Sequence, residues 1–191
     1  MLRVIGGEFR GRNLNTVPGE NTRPPLAKVR AAVANVLVDY IQDARILDVF
    51  AGTGSYSIEL LSRGASFATC IDKSRKAVEV IQKNVASLSL VGRVRVISGD
   101  STRIIKTLDD AEEKYGIVIV APPYFAGLDD KAMDLLGKSR LVEPAGIVVL
   151  QQHKRELHAE SYGTLRLRKT YSYGETKIST YLVGQDQDQA F

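Results

Sequence analysis

The sequence predicts an α/β fold. It should hold a mostly parallel seven-stranded sheet with helices on both faces, a closing C-terminal antiparallel hairpin and a short N-terminal β-hairpin. Three observations carry this. Short continuous apolar runs alternate with segments of helical period, as in parallel sheets covered on both sides. A glycine-rich turn, Gly52-Thr53-Gly54, follows the first such run. Two β-rich runs, Thr164 to Tyr173 and Lys177 to Val183, meet at Gly174-Glu175 near the end.

Residues 2–17 read as a hairpin around Gly6-Gly7 and Gly11, ended by Pro18-Gly19. After Thr22-Arg23-Pro24-Pro25, one helix is expected, with Leu26, Val29, Val33, Val36, Leu37 and Tyr40 on its buried face. Ile46 to Phe50 is the first strand of the sheet, Ser55 to Ser62 a helix and Phe67 to Ile71 a strand. The helix Ser74 to Leu88 carries Ser74 as N-cap and buries Val78, Ile81, Val85 and Leu88. Val94 to Ile97, Ile117 to Val120 and Gly146 to Gln151 are further strands, separated by helices at Thr102 to Lys114 and Lys131 to Lys138. The organisation expected is a basic arm over residues 1–24, a main domain over 25–184 and a disordered polar tail over 185–191.

Of 26 Lys and Arg and 22 Asp and Glu, residues 1–30 hold six and two, so the whole net charge of +4 sits in the arm and the start of the helix after it. Arg3, Arg10, Arg12, Arg23, Lys28 and Arg30 are therefore candidates for RNA phosphates, against the alternative of a merely solvated terminus. Arg166, Arg168 and Lys169, near Tyr171 and Tyr173, offer a second RNA patch or a solvated strand face. The apolar runs are too short to span a bilayer. No apolar segment follows the first charges, so no secretory signal is expected. The single Cys70 reads as a small buried hydrophobe, and the cytoplasm is the expected compartment. His153 and His158 form no metal pattern and read as surface residues; no metal is expected.

Asp48-Val49-Phe50-Ala51-Gly52-Thr53-Gly54 would place a close-approach turn at the carboxyl edge of the sheet, where doubly wound folds bind cofactors. Asp72 ends the next strand and can accept from ribose hydroxyls. Ser57 stands where a dinucleotide fingerprint needs its third glycine, which argues against a pyrophosphate-bearing cofactor. Asp100, with Ser101 after it, can either accept from an adenine amine or cap a helix. Ala121-Pro122-Pro123-Tyr124 combines stiff carbonyls without a following N–H and an aromatic ring, a clamp for the exocyclic amine of a flat base.

The Asp48–Gly54 run resembles the first cofactor motif of class I (Rossmann-like) methyltransferases, and Pro122-Pro123-Tyr124 the [D/N/S]-P-P-[Y/F] motif of amine-methylating members. Arg3-Val4-Ile5-Gly6-Gly7-Glu8-Phe9-Arg10-Gly11-Arg12-Asn13-Leu14, Thr22-Arg23-Pro24 with Val29-Arg30, and the closing Tyr173-Gly174-Glu175-Thr176 are similar to the bacterial 16S rRNA guanine-N2 methyltransferase family. The resemblance implies S-adenosyl-L-methionine as cofactor and 16S rRNA or the small ribosomal subunit as partner. The protein is expected to act as a monomer. The resemblance puts Asp48, Phe50, Ala51, Gly52, Thr53 and Gly54 at the cofactor's amino-acid end, Asp72 and Lys73 at its ribose, and Asp100 and Ser101 at its adenine. Ala121, Pro122, Pro123 and Tyr124 would face the guanine. The family has an acid where this chain has Ala121, which leaves open an impaired rRNA-binding homologue. Adenine-N6 and glutamine-N5 methylation remain as alternatives that use the same clamp.

Overall fold

A computed structural model describes residues 2–17 and 27–184 of the 191-residue chain. The expected Arg23 contact, the Thr22–Leu26 helix entry and the 185–191 tail lie outside the described residues.

The chain opens with β1 (Leu2–Arg3) and β2 (Asn13–Leu14), paired antiparallel. The single helix expected next is divided: α1 (Ala27–Val36) and α2 (Val38–Ile41) meet at Leu37, whose φ of −92° and ψ of 3° depart from the helical pair. The main sheet contains β3 (Arg45–Asp48), β4 (Phe67–Asp72), β5 (Val94–Ser98), β6 (Tyr115–Val120) and β7 (Val142–His153). The seven expected strands are completed by β9 (Leu165–Tyr173) and β10 (Thr176–Val183), and a two-residue β8 (Ser161–Tyr162) adds an edge. The order is β5-β4-β3-β6-β7-β10-β9-β8, parallel through β7 and antiparallel beyond.

Helices α3 (Ser55–Ser62) and α4 (Arg75–Ser87) join α1 and α2 on one face, over Ile46, Cys70, Ile117, Ile147 and Ile178. On the other face α5 (Ser101–Asp110) and α6 (Asp129–Lys138) cover Leu47, Ile71, Val118, Val148 and Tyr181. Neighbours along each strand alternate between these layers, which is why the strands read as unbroken apolar runs. Ser74 caps α4, its hydroxyl accepting from Ala77 N at 3.3 Å. Among the described residues no helix is long and apolar enough to cross a membrane.

The topology positions the site. From β3 the chain steps outward to β4 and β5, then returns to the far side of β3 as β6. The exits of β3 and β6 therefore lead to opposite layers, and the crevice between them is where doubly wound sheets receive ligands.

Candidate active site

Asp48 closes β3 inside this crevice. It is 1 % exposed, its Oδ2 accepts from Ser57 Oγ at 2.9 Å, and its buried Oδ1 has no hydrogen-bond partner among the described residues. Burial pushes its carboxyl up to about 7, opposed by the Ser57 hydrogen bond and reinforced by the nearby Asp72 charge. The chain then turns through Gly52 (φ +56°) and Gly54 (φ +72°), left-handed conformations that favour glycine. A Cβ at Gly52 would meet nothing within 4 Å, so the space over the turn is open. The turn is pinned on both sides, Val49 N donating to Ile119 O and Ala51 N to Ile71 O, each at 2.9 Å. Phe50 is half-buried, whereas Ala51 and Thr53 are buried.

Asp72 ends β4 and holds two backbone amides: Gly52 N donates to Oδ2 and Ser74 N to Oδ1, both at 2.8 Å. Each oxygen retains one acceptor site, since a carboxylate offers about four. Lys73 beside it is exposed. Asp100 is the N-cap of α5, which settles its capping role. Thr102 N (3.0 Å), Thr102 Oγ1 (2.5 Å) and Arg103 N (3.2 Å) all donate to Oδ1, leaving Oδ2 without a partner among the described residues. These hydrogen bonds, Thr102 first, hold its carboxyl below the usual carboxylate range. Ser101 Oγ donates to Val49 O at 2.6 Å, tying α5 to the exit of β3.

Ala121 follows the last residue of β6 and is half-buried, with its methyl against the α1–α4 layer. Gln151 follows the matching position on β7, after the pair Val120↔Leu150. Its Oε1 accepts from the buried Tyr56 hydroxyl at 2.5 Å. Side by side after that pair, Ala121 and Gln151 thus present a methyl and an amide.

Pro122 is buried and Pro123 exposed. The Tyr124 ring is 37 % exposed, but its hydroxyl lies 2.9 Å from Thr176 Oγ1 on β10, which fixes the ring. Phe125 adopts φ +58°, a left-handed conformation costly for an aromatic residue. It is held there by Phe125 N donating to Glu156 Oε1 at 2.7 Å and by the His153 ring 4.9 Å away. His153 is not the surface residue expected from the sequence. Its side chain is 14 % exposed, lies edge-on to Tyr124 at 5.6 Å and meets Glu175 at 3.1 Å. It packs there because β7 runs past the expected Gln151 end to His153, beneath the loop.

The basic arm is built into the domain. Ile5 N and Gly6 N donate to the buried Glu59 carboxylate at 2.8 and 2.9 Å, and Glu59 also pairs with Arg63. Asn84 on α4 accepts from Asn15 N at 2.7 Å and donates to Thr53 O at 3.0 Å, linking the arm to the glycine turn through one side chain. Arg3, Arg10 and Arg12 are exposed, Arg12 donating to Ser87 O and Arg3 to Asn13 Oδ1; Lys28 is exposed on α1. Arg30 is corrected: it is 2 % exposed and donates to Arg3 O at 2.6 Å, so it braces the arm and is shut off from phosphates. Helical period placed it among polar positions, but its guanidinium reaches under the hairpin. The roles of Glu59, Asn84, Gln151 and His153 escaped sequence reading because each acts through partners more than 20 residues away in the chain.

A family described as "Conserved hypothetical protein 95" matches residues 2–182. The chain is 31 % identical over 181 residues to the "Putative rRNA methyltransferase YlbH" of Bacillus subtilis, covering 94 % of this chain and 98 % of that protein. It is 36 % identical over 135 residues to the "Ribosomal RNA small subunit methyltransferase D" of Escherichia coli, covering 71 % and 66 % of the two chains. A solved structure, "Putative methyltransferase yhhF from Escherichia coli", superposes with a TM-score of 0.84 at 28 % identity, over 96 % of this chain and 98 % of that one. With the match running from the docked arm to the last strand of the sheet, the chain belongs to the conserved hypothetical protein 95 family, that of the small-subunit rRNA methyltransferase D-like proteins.

Proposed function

We propose that this protein is an S-adenosylmethionine-dependent rRNA methyltransferase whose target is the exocyclic 2-amino group of a guanine in 16S rRNA. The observation that carries this reading is the placement of the Pro122–Tyr124 loop at the exit of β6, directly across the chain reversal from the glycine turn after β3. The names borne by the relatives support rRNA as the substrate.

The residues fit the cofactor. Each of the three acids at the sheet edge uses part of its acceptor capacity to fix backbone or a neighbour and keeps the rest. Asp48 Oδ1, buried and unpartnered, suits the cofactor's ammonium group. Phe50, Ala51, Gly52, Thr53 and Gly54 form the turn over which its amino-acid end would lie. Asp72, with Lys73 beside it, would accept from the ribose hydroxyls, and Asp100 Oδ2, next to Ser101, from the adenine amine. The bound cofactor supplies a methyl group already activated on a sulfonium, so the protein's task is orientation and electrostatics.

The flipped base would lie against the Tyr124 ring, whose tilt Thr176 fixes. The Ala121 and Pro122 carbonyls, each followed by a proline without an N–H, would accept from the base's amine hydrogens and favour attack by its nitrogen. The proton then passes to water. A second reading has a specific basis: Ala121 after β6 and Gln151 beside it on β7 are both neutral, as in an impaired rRNA-binding homologue.

The deciding experiment is methyl transfer from labelled cofactor to small subunits from a strain lacking this protein, with the product nucleoside identified by mass spectrometry. Labelled N2-methylguanosine at one site is the expected result. Labelled N6-methyladenosine would replace the base assignment. No transfer despite normal cofactor affinity by calorimetry would leave the impaired homologue.

A further inference from the structure

A groove enclosing about 610 Å³ runs between α1 with the start of α2 and the strand β9. Its floor includes Ala31 and Val36 on one side and Tyr171 and Tyr173 on the other. Its charged lining is Lys28 at one end and Asp39 at the other. Two further cations stand on β9 beside it. The Lys169 ammonium lies 5.1 Å from the centre of the Tyr171 ring, and Arg168 donates to Tyr40 on α2 at 2.7 Å. The lining itself is charge-balanced, and the two cations on β9 make the rim beside its aromatic wall positive.

The groove begins at the candidate active site. Tyr173, in its lining, pairs across the hairpin with Thr176, the residue whose Oγ1 meets the Tyr124 hydroxyl. Partners in such a pair point to the same face of the sheet, so Tyr124, Thr176 and Tyr173 form a continuous surface. From Tyr173 back to Arg168 is five residues of strand, roughly 17 Å at about 3.4 Å per residue. A single strand of nucleic acid needs this combination: flat rings on which bases stack without sequence preference, and ammonium groups spaced along the backbone path.

We propose that this groove seats the single-stranded RNA flanking the target nucleotide, with a neighbouring base stacked on Tyr173 and phosphates near Lys28 and Lys169. The inference rests on the reading that the chain acts on RNA, and it names a contact surface outside the catalytic crevice and outside the basic arm. The groove and the arm would then hold RNA on two sides of the Tyr124 loop. Tyr171 contributes by holding Lys169 in place through its ring face.

The test is fluorescence anisotropy of a labelled 12-nucleotide single-stranded RNA of mixed sequence, with the full chain and with Lys28→Glu/Lys169→Glu, Tyr173→Ala and Tyr173→Phe. Thermal melts identify any variant that fails to fold, and the double charge reversal, on exposed residues, provides an arm free of packing changes. Expected are an affinity about tenfold weaker or more for the charge reversal, and a salt-dependence slope lower by about 1.4, at about 0.7 per phosphate contact. Tyr173→Ala should lose about tenfold, whereas Tyr173→Phe, which keeps the ring, should bind as wild type does. Affinities within twofold of wild type for both Lys28→Glu/Lys169→Glu and Tyr173→Ala would overturn the proposal, whether or not methyl transfer is seen. RNA binding that depends on the groove in a protein that transfers no methyl group would uphold the groove and sink the enzymatic reading instead. Sedimentation of a wild-type dimer that Val38→Glu dissociates, with RNA affinity unchanged, would make the groove a self-association face and also overturn it.

Discussion

Asp48 concentrates the residue-scale physics, because it is a carboxyl buried where Ser57 supplies its hydrogen bonding and, among the described residues, nothing meets its Oδ1. Burial raises its folded-state pKa from 3.8 to about 7. The folded protein therefore binds more protons than the unfolded chain between these values, and the penalty of a buried charge grows as pH rises through that window. Asp48→Asn should match wild-type stability near pH 4 and exceed it above pH 7 by on the order of a few kcal/mol, read from urea midpoints. The same substitution should weaken S-adenosylmethionine binding, and the wild-type affinity should rise between pH 6 and about 7.5 while that of the variant stays flat by calorimetry. A variant that keeps wild-type affinity across this range would remove Asp48 from the cofactor site. Ala121 is the second residue on which chemistry turns. A carboxylate there would face the charge developing on the attacking amine, and such a partner is worth roughly 100- to 1,000-fold in rate. Ala121→Asp should raise single-turnover methyl transfer by about that factor with cofactor affinity unchanged; rates agreeing within about threefold would show that the acid is dispensable in this chain.

At the scale of elements, the N-terminal hairpin and the glycine turn behave as one unit. Two strands of two residues each have too few ladder hydrogen bonds to persist alone. The hairpin is held instead by Glu59, Ser62 and Asn84, three polar side chains on α3 and α4 that satisfy its backbone. Glu59→Ala would leave two amides and Arg63 without their buried partner. It should cost about 3–5 kcal/mol in urea unfolding, the range for breaking a buried pair, with fast amide exchange at Ile5 and Gly6. Asn84→Ala severs the arm from Thr53 and should weaken both RNA and cofactor binding several-fold. A loss confined to RNA binding would show that the arm and the turn are energetically separate.

For the whole molecule, the charge distribution and the sheet edge point the same way. Arg10 and Arg12 stand exposed on an arm fixed to the layer that also carries the Ala121 methyl, Tyr171 and Tyr173. Replacing both by Ala should lower rRNA affinity and flatten its salt dependence by roughly 1–2 in log–log slope, at about 0.7–0.9 per phosphate contact. Cofactor affinity should be unchanged, because neither side chain reaches the glycine turn. Titrating the rRNA fragment at several salt concentrations checks this, and an unaltered slope would leave the arm as a structural brace.

The sequence alone determined the alternation of strands and helices, the capping of α4 by Ser74, the glycine turn after β3 and the Pro-Pro-Tyr loop after β6. Each of these is a local property, written in periodicity or in residues whose backbone preferences act within one turn. Its limits were equally local. It read α1 and α2 as one helix, since Leu37 continues the apolar period across the bend, and it stopped β7 at Gln151, because the polar residues that follow carry no strand signal. Only the tertiary structure decided that Arg30 is a buried brace, that His153 packs beneath the Tyr124 loop, and that Glu59 and Asn84 bind the arm to the site. It also decided that Tyr173 and Tyr124 share one surface through Thr176. These roles depend on partners that only the folded chain brings together, through docking of the arm on α1, α3 and α4 and of the loop after β6 on β7 and β10, so no periodicity or motif along the chain could encode them.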